Sequence, residues 1–289
     1  MTSFTDNLKV KSQYFMPKKF LSRAIGGLAS QPMGKFTTFL INTFIKYYDV
    51  DMKEAKIQNT EKYKTFNEFF TRELKKGART IISEPKALAM PADGCISELG
   101  DIYKDAMLQA KGHYYSLEKL LGGNIDDAKC FENGTFATIY LSPKDYHRVH
   151  MPYTGKLEKM VFVPGDLFSV NPLTAQNVDN LFARNERVIC FFKNETIGRF
   201  AVVLVGATIV ASIATVFAGT VAPKCGHEIT IYDYTKDDII LQKGDELGKF
   251  MLGSTVICVF ENKKIKLAKG LKPSLPVKMG TQLAESSNK

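Results

Sequence analysis

The sequence predicts an α+β fold, in which amphipathic N-terminal helices precede a largely antiparallel β core. Apolar residues recur at helical spacing up to about residue 74, and beyond about residue 81 the period changes to two along short segments. Turn-forming residues separate several of these segments, as at 164–166, 193–194 and 243–245. Because helices come first and strands follow, we expect a helical region over residues 1–75 and a β-rich core over residues 76–289.

Amphipathic patterns predict three helices in the N-terminal region. Pro17 suits the first position of a helix, and Pro32 breaks the pattern that follows it. The apolar face of this first helix consists of Phe20, Leu21, Ala24, Ile25 and Leu28. The second helix has an apolar side made of Phe36, Leu40, Phe44 and Tyr47. Thr65 and Glu68 have the spacing of a capping box, which opens a short third helix.

Seven short segments are expected to form strands of the β core. They lie at residues 135–141, 157–163, 188–192, 199–205, 208–217, 228–234 and 255–260. The most hydrophobic stretch, residues 201–221, is long enough to cross a bilayer. However, β-branched residues dominate it, and Gly206 and Gly219 interrupt it. We therefore interpret this stretch as consecutive buried strands rather than as a membrane-spanning helix.

The charge balance favours an anionic partner. Lys and Arg number 39 against 30 for Asp and Glu, which gives a formal net charge of +9. The basic residues are scattered, and no zinc-finger or RNP-like spacing is present, so a membrane surface is a better candidate than nucleic acid. The five cysteines form no Cys-x-x-Cys pair, which indicates reduced thiols and a cytoplasmic chain. Cys225 and His227 could donate to a metal ion, but two ligands without partners are more often structural, and we expect no metal.

Gly253 and Ser254 stand directly before an apolar, β-branched strand. A glycine followed by a serine is the least hindered peptide bond at which a hydroxyl can attack its own preceding carbonyl. That attack converts the amide into an ester and can end in cleavage of the chain. An isolated Gly-Ser-Thr step is usually only a turn that enters a strand, so other residues must support the chemical interpretation.

One acid and two histidines upstream could supply that support. Asp93 lies in the turn-like sequence PADG at 91–94, and His147 and His150 lie in YHRVHMP at 146–152. An Asp, a His and a Ser are the parts of a relay in which the acid orients the imidazole and the imidazole takes the hydroxyl proton. From the residues alone, a turn-capping Asp93 and a structural His150 remain alternatives.

Four separated segments resemble the phosphatidylserine decarboxylase family, a group of pyruvoyl-dependent enzymes, and most closely its short bacterial form. They are FNEFFTREL at 66–74, PADG at 91–94, YLSPKDYHRVHMP at 140–152 and LGST at 252–255. By this resemblance, Asp93, His150 and Ser254 form the self-processing triad. His150 is the base in that triad, and Asp93 fixes its tautomer.

The resemblance also implies the cofactor and the products of processing. The proenzyme is cut between Gly253 and Ser254, which gives a β chain that ends at 253 and an α chain that starts at 254 with a pyruvoyl group. The two chains form a heterodimer, and two such units could pair. The pyruvoyl captures the substrate amine as a Schiff base, so no pyridoxal phosphate is expected. We assign His147 to the decarboxylation stage, as proton donor or as partner of the substrate carboxylate, with a structural hydrogen bond as the alternative.

The function implied is conversion of phosphatidylserine to phosphatidylethanolamine and CO₂ at the cytoplasmic face of the inner membrane. Phe15, Phe20, Leu21, Ile25 and Leu28 would act as peripheral apolar anchors, and Lys9, Lys11, Lys18, Lys19 and Arg23 would meet anionic headgroups. A decarboxylase of a soluble amino acid, a serine hydrolase and a non-catalytic membrane scaffold are the alternatives. A hydrolase would often carry its serine in Gly-x-Ser-x-Gly, whereas Leu252 and Val256 occupy the glycine positions here.

Overall fold

The computed structural model describes residues 10, 12–14, 17–110, 112–208, 212–222, 228–251 and 254–287. Within these ranges, helices precede a mostly antiparallel β structure, which confirms the expected α+β class. The longer helices are α1 (Lys18–Ala29) and α2 (Lys35–Tyr48), and a short α3 (Phe66–Phe70) follows. Pro17 precedes the first residue of α1, one position earlier than expected.

The third helix begins with the capping interaction that the sequence predicts. Thr65 Oγ1 accepts the backbone N–H of Glu68 at 3.1 Å. The Glu68 carboxylate accepts in return from the N–H of Lys64 at 2.7 Å, one residue before the cap. Short 3₁₀ segments lie at Met52–Glu54 and Thr60–Lys62. The remaining helices are α4 (Leu117–Leu120), α5 (Ile125–Lys129), α6 (Pro172–Ala175) and α7 (Leu181–Arg184).

The strands of the described ranges are numbered here in chain order. The first nine are β1 (Ala87–Ala89), β2 (Gly94–Asp101), β3 (Ala106–Ala110), β4 (His113–Ser116), β5 (Thr135–Leu141), β6 (Arg148–His150), β7 (Gly155–Val163), β8 (Arg187–Asn194) and β9 (Gly198–Val205). The others are β10 (Ile213–Thr215), β11 (Gly219–Ala222), β12 (Thr230–Asp233), β13 (Ile240–Leu241), β14 (Glu246–Phe250), β15 (Ser254–Phe260), β16 (Ile265–Leu267), β17 (Pro276–Val277) and β18 (Gln282–Ser286).

Among the described residues, nine strands form an antiparallel sheet at the centre of the protein. Its order is β12-β7-β8-β9-β15-β5-β2-β17, and β13 also pairs with β7. A second sheet has the order β11-β10-β14-β6, a third has the order β1-β18-β16, and β3 pairs with β4. The two sheets that matter for the site are the first, which contains β15, and the second, which contains β6 and β14.

Strand β15 lies between β5 and β9 and is buried along its whole length. Ile257 and Val259 belong to the apolar cluster on the face covered by the helices, and Val256 and Cys258 belong to the cluster on the opposite face. A strand that is buried on both faces gives a continuous apolar run instead of an alternating one. This explains the unbroken hydrophobic sequence that follows Ser254.

Most predicted strands agree with the structure. The prediction at 135–141 coincides with β5, and those at 157–163, 188–192, 199–205 and 255–260 lie within two residues of β7, β8, β9 and β15. The prediction at 208–217 is too long, because its described part holds only β10, Ile213–Thr215. In its described part, the hydrophobic stretch 201–221 forms strands and turns, as the sequence predicts.

The helical and β-rich regions share one hydrophobic cluster. Ile41 of α2 and Phe69 of α3 belong to the same buried cluster as Val161 of β7 and Val203 of β9. The division at residue 75 therefore stays a prediction from the sequence. Among the described residues, no helix combines the length and the hydropathy that are needed to traverse a bilayer.

Candidate active site

Ser254 is the first residue of the central strand β15 and is fully buried. It pairs with Leu141, the last residue of β5. Within the described ranges, its Oγ has no hydrogen-bond partner. A buried hydroxyl without a partner is costly, and such a group is often held ready for chemistry. Gly253 and Leu252, on the other side of the expected cleavage bond, lie outside the described residues.

Short connections along the chain tie the segment that carries the two histidines to the start of this strand. Strand β6, which ends at His150, pairs antiparallel with β14. The backbone N–H of Phe250, the last residue of β14, donates to the carbonyl of His147 at 3.0 Å. Since β14 is followed after three residues by Ser254, the histidine segment and the start of β15 are held at the same end of the structure.

His147 is fully buried and packs against Phe70, with 4.1 Å between the ring centroids. Its Nδ1 lies 2.8 Å from the carbonyl oxygen of Asp145, and a carbonyl only accepts, so Nδ1 carries the proton. Nε2 has no partner among the described residues. Burial lowers the pKa of His147 to about 3, although the Asp145 carbonyl opposes this shift. His147 is therefore neutral at physiological pH, and its Nε2 is unprotonated and can accept a hydrogen bond or a proton.

His150 is oriented by two groups that the sequence did not predict for that role. Its Nδ1 donates to the carbonyl of Gly244 at 2.8 Å, and its Nε2 lies 3.0 Å from the hydroxyl of Tyr146. Burial lowers the pKa of His150 below its ordinary value, and burial also raises the pKa of Tyr146. The imidazole is therefore neutral, and the Tyr146 O–H donates to Nε2. This nitrogen is the atom that could take a proton from a hydroxyl.

Asp93 is buried and is held by cations rather than by a histidine. Arg79 donates to both of its carboxylate oxygens, with 2.9 Å between Nε and Oδ1. Lys278 Nζ lies 3.3 Å from Oδ2, and the N–H of Met279 donates to Oδ1 at 2.9 Å. Burial alone would raise the pKa of Asp93, but hydrogen bonds from Arg79 and Met279 hold it below its ordinary value. Asp93 is therefore ionised at neutral pH.

The expected hydrogen bond from Asp93 to the His150 ring is not present in this structure, and this detail of the prediction is corrected. The Gly244 carbonyl, not Asp93, fixes the tautomer of His150, because both oxygens of Asp93 face Arg79, Lys278 and Met279. The two segments are nevertheless joined, since the N–H of His150 donates to the Pro91 carbonyl at 2.7 Å. The negative charge of Asp93 is close enough to raise the pKa of His150.

Gly94 allows Asp93 to approach the central sheet. Gly94 has a φ of 155°. A Cβ at this position would collide with the backbone carbonyl of Tyr140 in β5. The small residue after Asp93 is therefore required by the close packing of β2 on β5, in addition to the turn that the sequence predicts.

The structure describes only one of two further histidine-containing positions. Nδ1 of His113 lies 2.8 Å from Asp179 at the surface. Cys225 and His227 lie outside the described residues.

Arg79, the main partner of Asp93, was missed because nothing in its local sequence marks it, and it is 14 residues away from Asp93. The role of Tyr146 could have been suspected, because it lies in the same segment as both histidines.

Stability should fall as the pH decreases from 7 to 5, because of the buried histidines. A His whose pKa is lowered by folding takes up its proton more readily in the unfolded chain, so stability is full above about 6.5 and is lost as the pH falls toward about 3. Asp93 and Glu54, with lowered pKa values, add a further loss only below their ordinary values of 3.8 and 4.5.

Replacing His147 with Asn in a Ser254→Ala chain should therefore reduce the difference in urea midpoint between pH 7 and pH 5. His113→Ala, which removes an imidazole outside this site, is the matched control for the loss of one histidine. An equal difference in the His147→Asn chain would show that this histidine is not neutral in the folded state.

Taken together, the fold and the site define an α+β protein with a buried serine at the start of its central strand and two neutral imidazoles in a segment that is hydrogen-bonded to the preceding strand, β14. A model of the family described as "Phosphatidylserine decarboxylase" matches residues 66–285, and a second, described as "PSD", matches residues 8–49. The chain belongs to the phosphatidylserine decarboxylase family. The resemblance of the four sequence segments is thereby confirmed.

Close relatives cover nearly the whole chain. The phosphatidylserine decarboxylase proenzyme of Psychromonas ingrahamii is 56% identical over 279 residues, which are 96% of this chain and 97% of the relative. The proenzyme of Pseudoalteromonas translucida is 55% identical over 283 residues, which are 97% of this chain and 98% of the relative. That of Photobacterium profundum is 53% identical over 283 residues, with 97% of each chain covered.

Proposed function

We propose that this protein is made as a proenzyme that cleaves itself between Gly253 and Ser254, and that the product decarboxylates phosphatidylserine to phosphatidylethanolamine. The observation that carries this proposal is Ser254 itself. Its hydroxyl is buried and unpartnered within the described residues, at the start of the central strand, in a chain whose family and relatives are named for this enzyme and its proenzyme.

In the proposed processing step, Ser254 Oγ attacks the carbonyl carbon of Gly253. The hydroxyl proton goes to Nε2 of His150, and the acyl group moves from the Ser254 nitrogen to its oxygen. Loss of the α-proton then expels the Gly253 carboxylate and leaves dehydroalanine at 254. Water hydrolyses this residue to a pyruvoyl group, and ammonia is released. His150 suits the base role because it is neutral and its Nε2 is held only by the hydroxyl of Tyr146, a hydrogen bond that one from Ser254 could replace.

Asp93 contributes to this step through its charge. An imidazole that takes the serine proton becomes cationic in a buried place, and a nearby carboxylate stabilises that cation. The structure supports this role by the effect of Asp93 on the pKa of His150. Arg79 and Lys278 keep the carboxylate ionised and fixed.

The site fits a pyruvoyl group formed from Ser254, because the residue is enclosed and, among the residues that the structure describes, its Oγ has no hydrogen bond that cleavage would break. When present, the group supplies a carbonyl conjugated with an amide, which acts as an electron sink for the electrons left by CO₂. We propose neither pyridoxal phosphate nor a metal ion for this chemistry.

His147 is proposed to act on the substrate. Donation to a substrate carboxylate or to Cα requires a proton on Nε2, which the neutral ring lacks. A substrate carboxylate beside the ring would raise the pKa of His147, because a nearby negative charge favours the imidazolium. We therefore propose that the anionic substrate promotes protonation of His147, which can then hold the carboxylate and return a proton.

The cleaved chains should remain together as a heterodimer. All seven residues of β15, from Ser254 to Phe260, pair with β5, and those from Thr255 onward also pair with β9. Both partner strands belong to the longer β chain, so the α chain would keep its central place in the sheet.

The helical region 1–75 is proposed as the membrane-associating part. Its helices expose large apolar side chains: Phe20 is 74% exposed, Phe39 is 63% exposed and Tyr47 is 79% exposed. Between α1 and α2 lies an apolar groove of about 440 Å³, lined by residues that include Leu28, Met33 and Leu40. Exposed apolar surface of this extent is typical of a membrane or protein contact, and a two-chain lipid substrate favours the membrane.

Several of the expected anchors need correction or lie outside the described residues. Lys18 is buried, with its Nζ 3.1 Å from the centroid of the Phe168 ring, so it is not placed to meet a headgroup. Arg23 is exposed, and Leu21 and Ile25 are partly buried. The residues that the structure describes do not include Lys9, Lys11, Phe15 or the side chain of Lys19. The proposed location remains peripheral, on the cytoplasmic face of the inner membrane.

Replacing Phe20 and Leu28 with serine should weaken binding to anionic vesicles at least severalfold, because both side chains are exposed and neither supports the core. Sedimentation with vesicles rich in anionic lipid measures this effect. Tyr103→Ser is the matched control, because Tyr103 is 73% exposed but lies outside the helices. Unchanged sedimentation of the double variant would place the membrane contact elsewhere.

An intact-mass measurement tests the proposed function directly. We expect two fragments, split between Gly253 and Ser254, with the smaller one blocked at its N-terminus. Sodium borohydride should inactivate the enzyme, and with phosphatidylserine present it should trap an adduct on the smaller fragment. A single uncut chain that hydrolyses esters would favour the hydrolase instead, and activity that needs added pyridoxal phosphate would contradict the cofactor.

A further inference from the structure

Arg72 is a buried cation whose hydrogen bonds are incomplete. It follows α3, is 5% exposed, and donates through Nη2 to the Lys144 carbonyl at 3.0 Å, with a longer contact of 3.5 Å to the Asp145 carbonyl. Within the described ranges, its Nε and Nη1 have no hydrogen-bond partner. Open donors on a buried guanidinium are costly, so an acceptor is expected to meet them in the working protein.

Arg72 lines a small cavity that adjoins the proposed active site. The cavity has a volume of about 160 Å³, and its other walls include Asp93, Tyr146, Lys144 and Lys278. Tyr146 is the residue that donates to His150. The charge of Arg72 also lowers the pKa of His147, which shows that these two side chains are near each other.

The carboxylates of this cavity are engaged elsewhere or lie at its exposed edge. Arg79 holds Asp93 and Glu54, and the carboxylate of Asp145 accepts from the N–H and the hydroxyl of Ser142. The other two acids of the wall are the exposed Asp49 and Asp51. None of these carboxylates forms an ion pair with Arg72, although Asp145, Asp93 and Glu54 stabilise its charge from a distance.

We propose that Arg72 binds an oxyanion of the phosphatidylserine headgroup through its open Nε and Nη1 donors. The inference rests on the proposed function and names a substrate-binding residue for it. Phosphatidylserine carries two oxyanions, a phosphodiester and a carboxylate, and a guanidinium hydrogen-bonds well to either. The position of Arg72 beside the histidines would hold the headgroup at the reacting end of the site.

Substitution of Arg72 tests the inference when cleavage and turnover are measured separately. Arg72→Gln and Arg72→Lys should still give both fragments on a denaturing gel. With phosphatidylserine in mixed micelles, the KM of Arg72→Gln should rise about 10-fold or more while kcat changes less, because a charge-assisted contact to the substrate is lost. Arg72→Lys should recover part of the affinity. Lys56→Gln, which removes an exposed cation that pairs with Glu73, is the matched control and should resemble the parent.

Two soluble competitors distinguish the phosphodiester from the carboxylate. Glycerophosphoethanolamine has only the phosphodiester, and glycerophosphoserine has both groups. If Arg72→Lys weakens inhibition by both compounds equally, the contact is to the phosphodiester, and if it weakens only glycerophosphoserine, the contact is to the carboxylate. Unchanged inhibition by both compounds would overturn the inference.

The remaining outcomes are also decisive. If both Arg72 variants stay uncut or insoluble, Arg72 serves processing or folding, and the inference is wrong. If the parent cleaves but does not decarboxylate phosphatidylserine, the proposed function fails by itself. The role of Arg72 is judged only from the KM of the variant relative to the KM of the parent. Failure of the inference is therefore distinguishable from failure of the proposed function.

Discussion

Replacement of Ser254 with alanine is expected to leave a single uncut chain without decarboxylase activity. The attacking hydroxyl and the carbons that become the pyruvoyl group belong to the same residue, and loss of the hydroxyl prevents the elimination that forms that group, so one substitution removes both processing and catalysis. Because alanine only deletes an oxygen that has no partner among the described residues, the fold should be retained. Denaturing electrophoresis and a CO₂-release assay measure the two effects, and we expect activity to fall to background.

The neighbouring residue provides a close control. Thr255 is also fully buried, and its Oγ1 is likewise without a partner among the described residues. Thr255→Val removes that hydroxyl with little change of shape, and it should cleave and turn over substrate. Appearance of the small fragment from the Ser254→Ala chain would show that the hydroxyl is not the nucleophile. Loss of cleavage in Thr255→Val would show that the strand, rather than one hydroxyl, controls processing.

The order of helices and strands was predictable because it depends on local sequence. Period and turn residues are local signals, so β5 was located to the residue, and β7, β8, β9 and β15 were located within two residues. Among the segments that were predicted as strands, the boundaries were least accurate at β10, where a continuous hydrophobic run gave no sign of where pairing begins. Burial on both faces of the sheet removes the alternation that would normally mark a strand boundary.

The candidate residues could be named from the sequence, but their partners could not. A hydrogen bond between the Gly244 carbonyl and His150 joins residues 94 positions apart, and backbone acceptors leave no mark in a side-chain pattern. Arg79 holds Asp93 only because the fold brings both to the same buried place. In the same way, Lys18 looks like a headgroup contact in the sequence, and only packing against Phe168 shows otherwise.

Replacement of His147 with alanine should separate the two stages of the reaction. We expect the chain to cleave at least in part, because His150 is the base for Ser254, but decarboxylation should fall by about 10²- to 10⁴-fold, the usual range for loss of an acid–base group. The structure motivates this difference, since Nε2 of His147 has no hydrogen-bond partner in the part of the chain that the structure describes. Its Nδ1 does make a hydrogen bond, to the carbonyl of Asp145.

A second variant separates the chemical role of His147 from its structural one. In His147→Asn, the amide N–H₂ can replace Nδ1–H as donor to the Asp145 carbonyl, but nothing replaces Nε2. If His147 acts on the substrate, both variants should cleave, and Asn should be as inactive as Ala in decarboxylation. If its role is only structural, Asn should restore most of the activity, and the assignment of His147 to the second stage would be wrong. A variant pair that folds but does not cleave would instead place His147 in processing, beside His150.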